Sequence, residues 1–532
     1  MSRGAALLFA AALTTPLAAQ GPFGQPSGFI VENAVLRRIW AIGMDSSQLP
    51  RLAQTLFDSL GPRLTASPGM DAAQNWLVAT YASWGIAAKK EQYGTWRGWR
   101  RGKTHLDLVA PRARTLEAIA LAWSPGTPKG RPVRAPVVIL PDVADSSALA
   151  AWLPQAKGKF VLISVPQPTC RADDSWEKWG VQANVDTMKA RRTVAQQAWQ
   201  QRVQRTGYAG RYTLHRRLEA AGVAGVLANN WSQGWGVDKV FDTYTDRTPV
   251  VDVSCEDYGL LYRLAENRQG PVVELTAESQ ALGEVPVFNV IGEIKGGTLP
   301  DEYVMLSAHF DSWDGASGAT DNGTGTLTML EAMRILKQVY PTPRRTILVG
   351  HWSGEEQGLN GSRAFVADHA DVVNGLQALF NQDNGTGRIE SMSASGFPDA
   401  SSSLARYLSR VPADITRNIK FGFPGAPGGG GTDHASFVSC GAPGFNLGSG
   451  DWDYGRYTWH TNRDTYDKIS FDDVRNNATL AAMLVYLASE DTTHVSRVKR
   501  DVFPNRPNGQ PGAWPDCQQP QRITPPPVPP RP

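Results

Sequence analysis

The sequence predicts an α/β fold: a layered domain of alternating strands and helices, interrupted by an inserted β-rich region. Three observations predict it. From about residue 285 onward, strand, loop and helix patterns follow one another repeatedly. Between about residues 131 and 276 the apolar runs are instead short and β-branched, as in Val137-Val138-Ile139-Leu140. The chain's 532 residues also exceed what one compact core accommodates, so more than one domain is expected.

The elements follow in order. Arg3, an apolar run over residues 5–13 and the small pair Ala18-Ala19 read as a cleavable signal peptide over residues 1–20. The mature protein is therefore expected to be secreted or periplasmic. Residues 21–130 form the first part of the layered domain. A helix over 52–60 is stopped by Gly61-Pro62, and a second over 70–84 ends at Gly85. Residues 131–280 form the insert, with strands at 137–140, 160–163 and 223–227 and a polar helical stretch at 175–204. Residues 281–495 resume the layered domain. Here 288–294 and 303–307 are expected to pair around Gly296-Gly297. An amphipathic helix over 325–336, strands at 346–350 and 378–380, and a closing helix over 472–487 complete it. Residues 496–532, rich in proline, are expected to form an extended tail.

Charge excludes one class of function. The formal net charge is +3, so nucleic acid is not an expected partner. The densest basic group, Arg97, Arg100, Arg101 and Lys103, reads as a solvated face. No run is long and apolar enough to span a membrane. Four cysteines, Cys170, Cys255, Cys440 and Cys517, allow three complete pairings, and the sequence does not choose among them.

The chemistry-bearing residues fall just after the predicted strands, where α/β sheets build their sites. They are His309 and Asp311, Asp321 before a helix, Glu355-Glu356, Asp383, and a late His460. Zinc takes imidazole nitrogen and carboxylate oxygen, and a carboxylate with two oxygens bridges two metals. One metal would take His309, Asp321 and Asp383; the other would take Asp321, Glu356 and His460. Glu355, beside a ligand but unbound, is the expected general base. Asp311 is expected to accept the other ring N–H of His309. Two Zn²⁺ per chain are expected, with other divalent metals also compatible with the donor set. His351 and His434 are read as decoys. Residues 425–431 read as a flexible pocket wall, and Ser353 lacks a nucleophile elbow.

The runs Ser307-Ala308-His309-Phe310-Asp311-Ser312-Trp313-Asp314, Gly318-Ala319-Thr320-Asp321-Asn322-Gly323 and Gly354-Glu355-Glu356-Gln357-Gly358 resemble the co-catalytic zinc aminopeptidases and glutamate carboxypeptidases. Within them the likeness is to the carboxypeptidase Q branch, through Leu60-Gly61-Pro62-Arg63-Leu64, Gly431-Thr432-Asp433 and His460 with Arg463-Asp464-Thr465. The resemblance runs from about residue 30 to 490. It implies a three-layer zinc-exopeptidase fold with a mixed central sheet and a protease-associated insert. It implies the same ligands and base, a cis peptide at Asp321-Asn322, a homodimer, and a dipeptide or short peptide as substrate. Trp459 stands where relatives often carry Tyr or His, so Tyr454 or Tyr457 is the candidate to bind an oxyanion. Two other readings compete: a binding protein on a dead peptidase scaffold, which predicts missing ligands, and a mono-zinc acyl transferase of the glutaminyl cyclase type.

Overall fold

The computed structural model describes residues 33–210, 212–428, 431–505 and 509–526. The expected signal segment lies outside them. Among the described residues no helix is long and apolar enough to cross a membrane.

The centre of the molecule is set by strands buried on both faces. Arg345–Trp352 and Leu376–Asn381 are buried at every position, as near-continuous apolar runs in parallel sheets tend to be. Leu299–His309 lies between them, parallel to both, and Gly444–Ser449 pairs parallel to Leu376–Asn381. Val272–Ile294 joins the far side of Arg345–Trp352 in the antiparallel sense, so the sheet is mixed. Successive side chains of Leu299–His309 point to opposite faces. Val304, Leu306 and Ala308 pack with the helices Thr324–Val339 and Phe471–Glu490. Met305 faces Phe365, Val366 and Phe437, which lie on the helices Asn360–Asp368 and His434–Ser439. The domain is thus helix, sheet, helix.

Three expectations change. Residues 288–294 and 303–307 do not pair, because Arg345–Trp352 inserts between their strands. The Gly296-Gly297 turn bonds instead to the start of that strand: Gly296 N–H donates to Thr346 Oγ1 at 3.0 Å and Gly297 N–H to the Pro343 carbonyl at 2.7 Å. The helix expected to be amphipathic, Thr324–Val339, is buried around most of its surface, since the closing helix and the N-terminal helices cover its outer side. The basic group is only partly solvated: Arg101 forms a two-pronged bond to Asp314 at 2.7 and 2.9 Å, and Arg97 lies 4.5 Å over the Trp123 ring.

A second buried cluster gathers Val137, Phe160, Val161, Leu162, Val226 and Val251 on mutually parallel strands. It takes up the chain already at Leu106 and Leu108, ahead of residue 131. The two clusters are joined by the antiparallel pair Ala87–Ala110 and Val272–Ile294, each of which runs from one core into the other. The polar stretch at 175–204 is helical, as Asp173–Trp179 and Gln182–Arg205. Both possible disulfides form, Cys170–Cys255 and Cys440–Cys517.

Candidate metal centre

Four of the candidate side chains stand where central strands end. His309 is the last residue of its strand. Glu355 and Glu356 follow Arg345–Trp352, and Asp383 follows Leu376–Asn381. Asp321 sits in a short turn (Ala319–Gly323) that leads into Thr324–Val339, with the expected cis peptide between Asp321 and Asn322. His460 arrives from a distant loop with a positive φ of 60°.

These residues converge. His309 Nε2 lies 3.0 Å from Asp383 Oδ1 and 3.5 Å from Asp321 Oδ1. His460 Nε2 lies 3.3 Å from Asp321 Oδ2 and 3.0 Å from Glu356 Oε2. Two three-residue groups able to hold a cation result, His309–Asp321–Asp383 and Asp321–Glu356–His460, and they share Asp321. One Asp321 oxygen faces each imidazole, the geometry of a bridging carboxylate. Asp321 Oδ2 and Glu356 Oε1 are buried without a hydrogen-bond donor, so lone pairs are left for a cation to take.

Electrostatics agree with that fit. Burial raises Glu355 well above the usual carboxylate range; the His309 charge opposes this, and Asp383, Asp433 and Glu356 reinforce it. Burial and the Asp321 charge likewise hold Glu356 well above it. Burial would lower His309, but the Asp383 and Glu355 charges hold it well above its ordinary value. Burial would raise Asp321, but the His309 hydrogen bond and the His460 charge lower it. Crowded carboxylates of this kind require compensating positive charge, and divalent cations supply it. Burial takes His460 down to about 4 against the pull of Asp321, leaving a neutral ring of the form that ligates metals.

The supporting residues differ in detail from expectation. His309 Nδ1 lies 3.0 Å from the Asp311 main-chain carbonyl, while the nearer Asp311 carboxylate oxygen is 3.7 Å away. The Asp311 carboxylate instead accepts the backbone N–H groups of Glu355 and Glu356, both at 3.2 Å, and the Thr65 hydroxyl at 3.1 Å. It therefore positions Glu355 and Glu356 after the neighbouring strand, because its carboxylate is aimed across the sheet rather than back at its own strand.

Two further supports, Arg63 and Asp464, carried no assigned role in the sequence, and Tyr454 was expected only as a possible oxyanion donor. Fully buried Arg63 donates to the carbonyls of Phe310, Ser317 and Gly318 at 2.7 to 2.8 Å, pinning the loop between His309 and Asp321. The Asp464 carboxylate accepts the N–H groups of Thr320 at 2.8 Å and Asp321 at 2.9 Å. Burial plus the charges of Asp321, Asp383 and Glu356 push the Tyr454 phenol well above its ordinary value, so it stays a donor beside them. The only signals for Arg63 and Asp464 were the short runs that carried the family resemblance.

Residues 239–241 also reach the site. Val240 N–H donates to the His460 carbonyl at 2.7 Å, and the Phe241 ring stands edge-on to His460 at 5.4 Å. Lys239 donates to the Trp459 carbonyl at 2.9 Å and lies 4.0 Å over the Trp459 ring. Trp459 stacks on His460 at 3.9 Å. His351 packs beneath the site, 2.7 Å from the Tyr81 hydroxyl, with burial lowering it to about 3. Burial takes His434 to about 4, so it too stays uncharged near neutral pH. Of the glycine-rich run, Gly428 lies against His434.

A helix–sheet–helix domain with imidazoles and carboxylates gathered at its strand ends is that of a zinc metallopeptidase. Residues 289–485 match the model of peptidase family M28. Mouse carboxypeptidase Q is 23% identical over 449 residues, covering 82% of this chain and 84% of the relative. Among solved structures, a peptidase M28 precursor from Shewanella amazonensis covers 87% of this chain and 97% of its own, at 23% identity and a TM-score of 0.63. A zinc aminopeptidase from Bacillus subtilis covers 86% and 98%, at 20% identity and a TM-score of 0.54.

Proposed function

We propose that the protein is a secreted exopeptidase working with two zinc ions on dipeptides or short peptides. The observation that carries this is the pair of ligand groups sharing Asp321, with Glu355 beside them. Zinc bound there supplies Lewis acidity toward the scissile carbonyl and acidifies water. The rest belongs to the chain. Glu355, whose carboxylate is made more basic by burial, takes the proton of the attacking water and delivers it to the leaving amine. The Tyr454 hydroxyl is the donor available for charge developing on the carbonyl oxygen. Asp311 holds the backbone beneath Glu355, and Arg63 and Asp464 hold the segment that carries Asp321. Presence of all five ligands and the base disfavours a dead scaffold, and completeness of the second group disfavours a one-metal acyl transferase. Export is supported by two disulfides, which persist in oxidising compartments.

The test is metal analysis with turnover of free and terminally blocked dipeptides. Two zincs per chain are expected. Glu355→Gln is expected to lower kcat by about 100- to 10,000-fold while retaining both metals. Full activity in that variant would remove Glu355 from the mechanism. Light scattering of the same sample tests the homodimer that the family resemblance implies.

A further inference from the structure

The described tail residues 509–526 are tied down. Cys517 is bonded to Cys440, and the Trp514 ring packs on Phe397 at 5.0 Å. Gln521 N–H then donates to Asn360 Oδ1 at 3.0 Å. Arg522 donates to the Tyr93 carbonyl at 3.0 Å and pairs with Asp368 at 2.7 Å. From the other side, Thr95 N–H donates to the Arg522 carbonyl at 2.8 Å and Arg97 N–H to Thr524 Oγ1 at 2.7 Å. Thr95 and Arg97 are two apart, so both N–H groups belong to one edge of the strand Ala87–Ala110. The tail therefore occupies that edge. A side chain at Gly94 would place its Cβ 2.1 Å from the Arg522 carbonyl oxygen, so the close approach depends on glycine there.

Beyond this anchor the tail meets the metal centre. A cavity of about 380 Å³ is lined by the ligand Glu356, by Trp96 and Trp313, and by Gln521, Pro525 and Pro526 of the tail. Its size is within the range of small-ligand pockets. Trp96 belongs to the strand edge that the tail covers. An uncovered edge beside a catalytic cavity is a track on which an extended peptide can add as a further strand. Here the backbone donors of that track are already used. The two prolines offer no N–H groups and keep an extended, stiff backbone, so they form a steric wall rather than a binding strand.

We propose that residues 521–526 are a disulfide-tethered wall that sets substrate length, admitting short peptides beside Glu356 and excluding longer ones from the 93–97 edge. This rests on the peptidase reading above. It is tested in the zinc-loaded full-length protein with alanine dipeptide and alanine hexapeptide. Arg522→Glu opposes Asp368 and removes the bond to Tyr93, and the Cys440→Ser/Cys517→Ser pair cuts the tether as an independent route. Hydrogen exchange over residues 518–526 reports release of the tail. In either released variant the hexapeptide-to-dipeptide ratio of kcat/KM is expected to rise about tenfold, with dipeptide turnover within about twofold of the unaltered protein. A released tail with an unchanged ratio would overturn the proposal alone. No hydrolysis of either peptide by the unaltered protein would overturn the peptidase reading and this proposal together.

Discussion

The two cores are built alike and end differently. Each has parallel strands whose carboxyl ends present polar side chains. In the catalytic core those ends bring carboxylates to imidazoles and leave buried oxygens without donors. In the second core the corresponding carboxylates are met by amides. Asn230 donates to Asp252 from its side chain at 2.6 Å and from its backbone at 3.3 Å, and Asn229 reaches Asp238 at 3.3 Å. Burial pushes Asp238 up to about 9, with the Asp252 charge adding to it, so this cluster sheds charge by holding a proton. Buried carboxylates alone therefore do not make a metal site. The partners decide: imidazoles with an open lone pair favour a cation, whereas amide donors remove the need for one.

Matched substitutions sharpen that contrast. Asp321→Asn removes the oxygen charge shared by the two ligand groups, and kcat/KM is expected to fall by more than about 100-fold, with metal analysis showing fewer than two zincs. Phe241→Ala tests whether the segment at 239–241 helps hold His460: zinc affinity measured by chelator competition is expected to weaken by about tenfold, with unchanged circular dichroism. An unaltered affinity would make that segment a cover only. Asp238→Asn replaces an acid that is already neutral, so the urea midpoint is expected to shift by less than about 0.5 kcal/mol equivalent, with full activity. A large loss of activity would erase the contrast between the cores.

A last contrast concerns acid. Burial lowers His215, on the helix Thr213–Ala220 of the second core, to about 4, opposed by Asp242. The unfolded chain binds a proton there near pH 6.5, so between that value and about 4 it holds more protons than the folded one. The stability from keeping His215 neutral is thus present above pH 6.5 and lost as pH falls toward 4. His215→Gln is expected to flatten the urea midpoint between pH 6.5 and 4.5, and an unchanged slope would assign the acid sensitivity elsewhere.

Local pattern pointed to His309, Glu355, Glu356 and Asp383 because they directly follow buried apolar strands. Asp321 and His460 lie in a turn and a loop, and only their residue types and flanking runs marked them as candidates. The long strand Ala87–Ala110 was not, since bulges at Gln92/Gly94, Gly98/Trp99 and Arg101/Thr104 break the period-two alternation that marks a strand. Nor was the order of the central strands, because Arg345–Trp352 enters between two segments that look like neighbours along the chain. Residue identity and short-range periodicity thus contained the donor set and the helix–sheet alternation. Which backbone groups Asp311 supports, how residues 239–241 reach His460, and where the tail comes to rest depend on contacts between residues tens to hundreds of positions apart. Those were decided by packing in three dimensions, because the energy of such contacts comes from burial and hydrogen-bond completion that exist only once the chain is folded.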